Sequence, residues 1–270
     1  MDIQHVLTGV REAVAEAGAA ILEIYADPDR FDAERKADDS PLTAADLAAN
    51  RLLVSRLQEL TPAIPILSEE SRQADWSERR YWRECWVVDP LDGTKEFLKR
   101  NDEFTVNVAL VRDHHPILGV VYAPALGQWY YAATGIGAWH QSGQGLAERI
   151  SVAPPPEGRP WKVVGSRSHS TAAVQAFVDR LGDAELVPMG SSLKLCLVAG
   201  GSADVYPRLG PTSEWDTCAA HAVVVEAGGQ VLNAETGQPL SYNARESLLN
   251  PHFIVCGRAD PSWFGTAAKP

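Results

Sequence analysis

The first pattern along the chain is helical. From Asp2 to Tyr25 the apolar positions Val6, Val10, Val14, Ala17, Ile21 and Ile24 recur at helical spacing with charges on the opposite face, predicting an amphipathic scaffold helix that Asp27-Pro28 ends. The polar stretch Arg35–Pro41 reads as a loop or hairpin tip. Thr43-Ala44-Ala45-Asp46 then opens a second helix, running to about Leu60 on Leu47, Leu52, Val54 and Leu57. Beyond it the periodicity shortens. Pro65-Ile66-Leu67 is a short strand ending at Ser68-Glu69-Glu70-Ser71, and Trp86-Val87-Val88 is a buried strand that stops at Asp89-Pro90. Proline lacks a backbone donor and pushes its predecessor toward an extended conformation. After a short helix at Lys95–Lys99, Phe104–Val111 and Ile117–Tyr122 read as strands about a hairpin at Asp113-His114-His115-Pro116. Gln128–Ala133 and Ala138–Gln141 add strands, with Gly135 and Gly137 at the bend.

The segment Val152-Ala153-Pro154-Pro155-Pro156-Glu157-Gly158 is the clearest boundary, a proline-rich connector between an α+β unit over residues 1–150 and an α/β unit over 151–270. In the second unit strand and helix alternate: Val163–Ser166 a strand, Ser170–Leu181 a helix, Ala184–Pro188 a strand, Lys194–Ala199 a helix, Ala203–Tyr206 a strand. A long helix, Asp216–Ala227, runs into Gly228-Gly229 as a C-terminal stop, and Val231–Leu232 and Phe253–Cys256 finish the sheet. The expected class is therefore α/β.

Composition changes this picture little. At 270 residues the chain can bury a large core, and 45% hydrophobic with 22% charged residues is ordinary for a globular protein. A formal net charge of −11 argues against nucleic acid as a partner, which would call for a basic stripe. It leaves room for a small anionic substrate, because bound cations invert the local field. Cys85, Cys196, Cys218 and Cys256 form no C-x-x-C pair and sit in apolar contexts, so they read as reduced core thiols of a cytoplasmic protein. No signal-peptide pattern opens the sequence, and no apolar run approaches membrane-spanning length.

The chemistry concentrates where the strand Trp86–Val88 ends. In Asp89-Pro90-Leu91-Asp92-Gly93-Thr94 two carboxylates follow a buried strand on a turn that Gly93 allows. Unpaired carboxylates are costly there, and a divalent cation would remove the cost. Oxygen-only ligands suit Mg²⁺ or another hard cation rather than zinc. Thr94 opens the following helix, so metal-binding carboxylates lie beside a phosphate-binding helix start. Taken alone, Asp46 fits a capping box with Thr43, Glu69-Glu70 a solvated pair, and Asp216 an acid favoured at a helix start. Gly190-Ser191-Ser192-Leu193-Lys194 is a plausible anion cradle without Walker spacing, and Ser166-Arg167-Ser168-His169 and Arg208 follow strand ends. The His114-His115 pair is better explained by a polar turn tip than by a metal site.

Jointly, Glu69-Glu70, Asp89-Pro90-Leu91-Asp92-Gly93-Thr94, Trp215-Asp216 and Gly228-Gly229 resemble the lithium-sensitive, Mg²⁺-dependent phosphatase superfamily of inositol monophosphatases, fructose-1,6-bisphosphatases and 3′(2′),5′-bisphosphate nucleotidases. Lys36-Ala37-Asp38-Asp39-Ser40-Pro41, Asp92–Phe97, Ser166–His169 and Gly190–Lys194 are most similar to its CysQ-type 3′(2′),5′-bisphosphate nucleotidases. The resemblance implies the superfamily's layered αβαβα sandwich, with the site between the halves. It implies two or more Mg²⁺ ions held by Glu69, Asp89, Asp92, Asp216 and the backbone carbonyl of Leu91. Asp46 and Thr94 would orient the attacking water, with Glu69 also in the catalytic set.

The substrate implied by the resemblance is adenosine 3′,5′-bisphosphate, extended to its 5′-phosphosulfate analogue, which would place the enzyme in sulfur assimilation. Gly93, Thr94, His169, Ser191, Lys194, Arg208 and Asp216 would surround it, Lys194 and Arg208 supplying the cations for a second phosphate. An inositol monophosphatase or sugar bisphosphatase is the alternative among enzymes, and a non-catalytic Mg²⁺ or nucleotide sensor the alternative of another class. The chain is expected as a monomer or homodimer. Peripheral association with the inner face of the cytoplasmic membrane rests on the resemblance alone, with no basic amphipathic anchor to support it.

Overall fold

Asp2 starts the first helix by accepting the backbone N–H groups of Gln4 and His5, and α1 (Ile3–Tyr25) buries the predicted apolar face. The computed structural model describes residues 1–27, 29, 31, 34–35, 41–165 and 171–264. β1 (Glu34–Arg35) and β2 (Pro41–Leu42) pair antiparallel, and the expected tip at residues 36–40 lies outside the described residues. α2 (Ala44–Leu60) buries Ala45, Ala49, Leu53 and Leu57, whereas Leu47, expected inside, is 36% exposed. The buried side of α2 is thus built partly on alanines, whose small side chains let it lie close against α1.

The first sheet follows: β3 (Ile66–Ser68), the single-turn helix α3 (Trp76–Arg79), β4 (Glu84–Asp92), α4 (Thr94–Lys99), β5 (Thr105–Arg112), β6 (His115–Ala123), β7 (Gln128–Ala133), β8 (Gly137–Ser142) and β9 (Glu148–Arg149). Its seven strands lie in chain order, with β3 parallel to β4 and every later pair antiparallel. The β5–β6 hairpin turns on Asp113 (φ 47°) and His114 (φ 68°), the two left-handed residues a tight hairpin requires. His114 Nδ1 lies 3.1 Å from the Tyr242 carbonyl, which ties the hairpin tip to the second half of the chain.

The strand reading needs one correction. β4 does not stop at Asp89-Pro90 but runs on to Asp92 through an irregularity in register between Asp89 and Asp92. A bulge frees one residue from the ladder, which is where a strand tolerates a proline.

The second sheet comprises β10 (Trp161–Gly165), α5 (Ala172–Leu181), β11 (Ala184–Pro188), α6 (Leu193–Ala199), β12 (Val205–Arg208), α7 (Cys218–Glu226), β13 (Gln230–Asn233) and β14 (Phe253–Cys256). Its order is β11-β10-β12-β14-β13, with the first three parallel and β14 antiparallel to both neighbours. The expected long helix from Asp216 is two elements: a 3₁₀ turn, Glu214–Asp216, then α7. Thr217, at φ −124° and ψ −29°, breaks the helical path between them. Gly228 (φ 87°) ends α7, its N–H and that of Gly229 donating to Val225 and Val224 carbonyls.

Strand alternation explains the layers. On one face of the first sheet Val88, Val106, Val108, Leu110 and Val120 pack with α1 and α2; on the other Val87, Ala109, Val111 and Val121 pack with α6 and α7. The second sheet covers α6 and α7 with Val164, Tyr206, Phe253 and Val255, and turns Val163, Val205 and Ile254 toward Phe177 of α5 and Trp263. The result is the αβαβα sandwich. Its middle layer is close-packed: a Cβ on Gly119 of β6 would lie 2.1 Å from the Ala219 carbonyl of α7. The four cysteines are buried and unbridged. Among the described residues, no helix is long and apolar enough to cross a membrane.

Candidate active site

Because β3 and β4 run parallel, their carboxyl ends open on the same side of the sheet. Glu69 leaves β3 there, its N–H donating to the Val88 carbonyl at 3.1 Å. On β4 the bulge sets the geometry. Asp89 pairs with Asn107 and Asp92 with Thr105, so three steps along β4 match two along β5. In a regular strand residues three apart face opposite sides, so the irregularity is what lets Asp89 and Asp92 face the same side. The Asp89 side chain accepts the Leu91 N–H at 3.1 Å, fixing the turn. Gly93 sits at φ 95°, where a Cβ would also come within 3.1 Å of the Glu103 carbonyl. Asp216 arrives from the other half on its 3₁₀ turn, where Oδ2 accepts the Ser213 N–H at 2.9 Å.

Carboxylate oxygens of Glu69, Asp89 and Asp216 all lie within 4.8 Å of one another. Asp89 is 1% exposed. Burial first, then the charges of Glu69, Asp92, Asp216 and Asp46, push its carboxyl well above the usual carboxylate range. Burial and Asp92 push Asp216 up in the same way, against the opposing Ser213 N–H. Among the described residues neither Asp89 nor Asp216 has an ion pair with a lysine or arginine. Such a concentration of buried like charge fits one divalent cation, and an all-oxygen donor set suits Mg²⁺. Asp92 lies outside this tight trio: its Oδ2 accepts the Ser191 hydroxyl at 2.7 Å and the Ser192 N–H at 2.6 Å. The Leu91 carbonyl is 3.4 Å from Thr94 Oγ1.

Asp46 reaches the cluster from the first turn of α2. Its Oδ2 accepts the Thr43 N–H at 2.8 Å and the Thr43 hydroxyl at 2.5 Å, the expected capping box. Its Oδ1 accepts the Thr94 hydroxyl at 3.3 Å across 48 residues of sequence. The cap and the contact to Thr94 thus use different oxygens of Asp46.

Beside the carboxylates opens a cavity of about 470 Å³, lined among others by Lys95, Ser191, Lys194, Tyr206, Arg208 and Asp216. Burial pushes the Lys194 ammonium down in pKa, with Asp92 opposing. Arg208 donates from Nη2 to the Pro211 carbonyl at 2.9 Å, while its buried Nε has no hydrogen-bond partner among the described residues. His169 and the rest of Ser166–His169 lie outside the described residues. Two clefts of about 600 and 550 Å³ flank Ala63–Pro65 at the sheet edge; the one carboxylate lining them, Glu84, is paired with Arg112. Of these three cavities among the described residues, the one of about 470 Å³ is lined by both Lys194 and Arg208 and the acids Asp92 and Asp216.

Sequence reading missed Thr105 and Asn107, which sit directly opposite Asp92 and Asp89. The available signal was two polar residues at alternate positions of the otherwise apolar run Phe104–Val111. It also passed over Lys95, at the cavity wall. The Gly190–Lys194 cradle directs its first donors inward, to Asp92 and Glu103, rather than outward to an anion.

Residues 2–260 match the profile of the inositol monophosphatase family. The chain is 49% identical over 249 residues to the 3′(2′),5′-bisphosphate nucleotidase CysQ of Salmonella typhimurium, covering 92% of this chain and 98% of that one. It is 48% identical over the same length to the protein of that name from Escherichia coli K12. Its fold superposes on the crystal structure of CysQ from Bacteroides thetaiotaomicron with a TM-score of 0.84 at 44% identity, covering 96% of this chain and 99% of that one.

Proposed function

The chain belongs to the inositol monophosphatase family, and from that premise we propose that it is a Mg²⁺-dependent phosphomonoesterase acting on adenosine 3′,5′-bisphosphate. The products are AMP and inorganic phosphate: a water oxygen bonds to phosphorus as the bond from phosphorus to the 3′ oxygen breaks. The same site would take the 5′-phosphosulfate analogue, with a role in sulfur assimilation and nucleotide recycling in the cytoplasm. The observation that carries the reading is the Glu69, Asp89 and Asp216 cluster beside the Asp46–Thr94 pair, at the mouth of a cavity bearing Lys194 and Arg208.

Glu69, Asp89, Asp92, Asp216 and the Leu91 carbonyl would hold two or more ions. When bound, these supply Lewis-acid neutralisation of the phosphoryl oxygens and lower the pKa of the attacking water. The chain's own groups do the rest. The Thr94 hydroxyl gives its proton to Asp46 Oδ1, which turns a lone pair of Thr94 Oγ1 toward the water to take up a proton as it attacks. Thr43 holds Asp46 Oδ2 on the far side, so the acceptor does not swing away. Phosphoryl transfer needs chiefly positioning and charge neutralisation, and no covalent nucleophile is required.

Lys194 and Arg208 select the substrate. The buried Arg208 Nε–H, without an acceptor among the described residues, would find one in a second phosphate and not in inositol 1-phosphate. Lys194 is partly buried, so its charge acts in a poorly screened setting. The test is phosphate release from adenosine 3′,5′-bisphosphate, inositol 1-phosphate and fructose 1,6-bisphosphate by wild type and Lys194→Gln. A strong wild-type preference for the adenosine compound, lost selectively in the variant, is the expected result. Equal losses on all three substrates defeat the assignment.

A further inference from the structure

Between the end of β4 and the loop before α6 lies a buried polar set to which the reaction above gives no task. Thr105 is 0% exposed, Asn107 1%, Ser192 2% and Ser191 8%. Alternation puts Thr105 and Asn107 on one face of β5, opposite Asp92 and Asp89. Asn107 Nδ2 donates to Thr105 Oγ1 at 3.1 Å, and Ser192 Oγ donates to Asn107 Oδ1 at 2.7 Å. Thr105 Oγ1 lies 2.5 Å from Ser191 Oγ and 2.9 Å from Ser192 Oγ. The set ends on Asp92 Oδ2, which accepts the Ser191 hydroxyl and the Ser192 N–H.

Counting protons gives this set a direction. Each hydroxyl carries one proton. That of Ser191 lies toward the carboxylate, so toward Thr105 the Ser191 oxygen acts as acceptor. That of Ser192 lies toward the Asn107 carbonyl oxygen, leaving Thr105 to donate over the shorter contact, to Ser191. All donors then point one way, Ser192 to Asn107 to Thr105 to Ser191 to Asp92, and aligned hydrogen bonds strengthen one another. A strand needing only to fill space would carry apolar residues here, as β5 does farther along this face at Ala109 and Val111. The loop is also held against its own preference: Ser191 is left-handed at φ 53°, and the Gly190 N–H before it is tied to Glu103 Oε2 at 2.7 Å.

We propose that Thr105 and Asn107 are positioning residues for the divalent-cation site. The chain they complete fixes the rotation of the Asp92 carboxylate, engaging Oδ2 inside the protein and leaving Oδ1, which has no partner among the described residues, as the oxygen offered to the cluster. This rests on the reading of Asp92 as a metal ligand. It also makes the site depend on contact between the halves, since β5 belongs to the first sheet and Ser191 and Ser192 to the loop leading into α6.

The experiment is Mn²⁺ binding to the full chain, followed by the electron paramagnetic resonance of the unbound ion, for wild type, Thr105→Val, Thr105→Ser and Ser192→Ala. The thermal midpoint of each metal-free protein is measured alongside. Thr105→Val keeps the shape and loses the hydroxyl, and is expected to weaken Mn²⁺ by roughly 10–100-fold, the usual cost of losing an outer-shell partner. Thr105→Ser loses the methyl and keeps the hydroxyl, so it is expected to bind as wild type even where its midpoint falls. Ser192→Ala, on the loop rather than in the strand, is expected to weaken binding if Thr105→Val does not fold. Wild-type affinity in Thr105→Val, or in Ser192→Ala should Thr105→Val not fold, overturns the proposal, as does equal weakening in Thr105→Ser. Phosphate release is not the readout: a wild type that binds Mn²⁺ yet hydrolyses no adenosine bisphosphate defeats the proposed reaction and leaves this comparison decisive.

Discussion

Asp46 shows at the scale of one residue how structure and function share an atom set. Its Oδ2 closes the α2 cap and its Oδ1 receives Thr94. Asp46→Asn keeps an amide oxygen at the N3 position of the capping box to accept from Thr43, so stability should change by less than about 1 kcal/mol. The proton acceptor is lost, and kcat should fall roughly 10²–10⁴-fold while the Mg²⁺-induced rise in thermal midpoint persists. Loss of that rise together with kcat would make Asp46 part of the metal site instead. Asp89 tests the opposite balance. Surrounded by other carboxylates in a buried site, it costs stability when no cation is bound. Chelated Asp89→Asn is expected to be more stable than chelated wild type by roughly 0.5–2 kcal/mol in denaturant unfolding. The cluster was legible only jointly: Glu69 and Asp216, which have ordinary readings alone, gain meaning from the Asp89–Thr94 turn that completes the family motif. The pairing of Asp46 with Thr94, 48 positions away, came from the family resemblance and not from local spacing.

At the scale of elements, the bulge in β4 and the 3₁₀ turn before α7 aim the acids. Both are where the sequence reading erred, ending a strand at Pro90 and starting a helix at Asp216. In each case a local signal was read correctly and its tertiary setting was not: Pro90 is absorbed by the ladder irregularity, and Asp216 by a turn tied from a distance. The tie is Asn250, whose Nδ2 donates to the Ser213 carbonyl at 2.7 Å and Thr217 Oγ1 at 3.0 Å. Asn250→Leu strands those acceptors and is expected to cost about 1–3 kcal/mol, with weaker Mg²⁺ binding because Asp216 rides on the turn. Unchanged binding would show that Asp216 is held by α7 alone. The regular helices and strands were legible within a few residues, because their periodicity is set by the core they face.

The whole molecule is five layers whose middle helices seal both sheets. Gly119→Ala drives a methyl into the Ala219 carbonyl at 2.1 Å and is expected to destabilise by at least about 2 kcal/mol, read by denaturant unfolding. The same layer buries His221, whose ring nitrogen lies 2.8 Å from the Tyr242 hydroxyl and whose pKa burial pushes down to about 3. Unfolding frees it to protonate near its ordinary value of about 6.5. Its contribution is therefore complete above that value and is lost as pH falls from there toward 3, by up to about 1.4 kcal/mol per pH unit. His221→Leu should lack this slope, so the gap between the two unfolding free energies narrows as pH falls; a constant gap would contradict the burial argument.

The most direct test of the central claim is phosphate release from adenosine 3′,5′-bisphosphate, with Mg²⁺ and with chelator, by wild type and Asp89→Asn side by side. Turnover that requires Mg²⁺ in the wild type and falls at least about a hundredfold in the variant is the expected result. Turnover that survives chelation, or an Asp89→Asn enzyme as active as wild type, would contradict it.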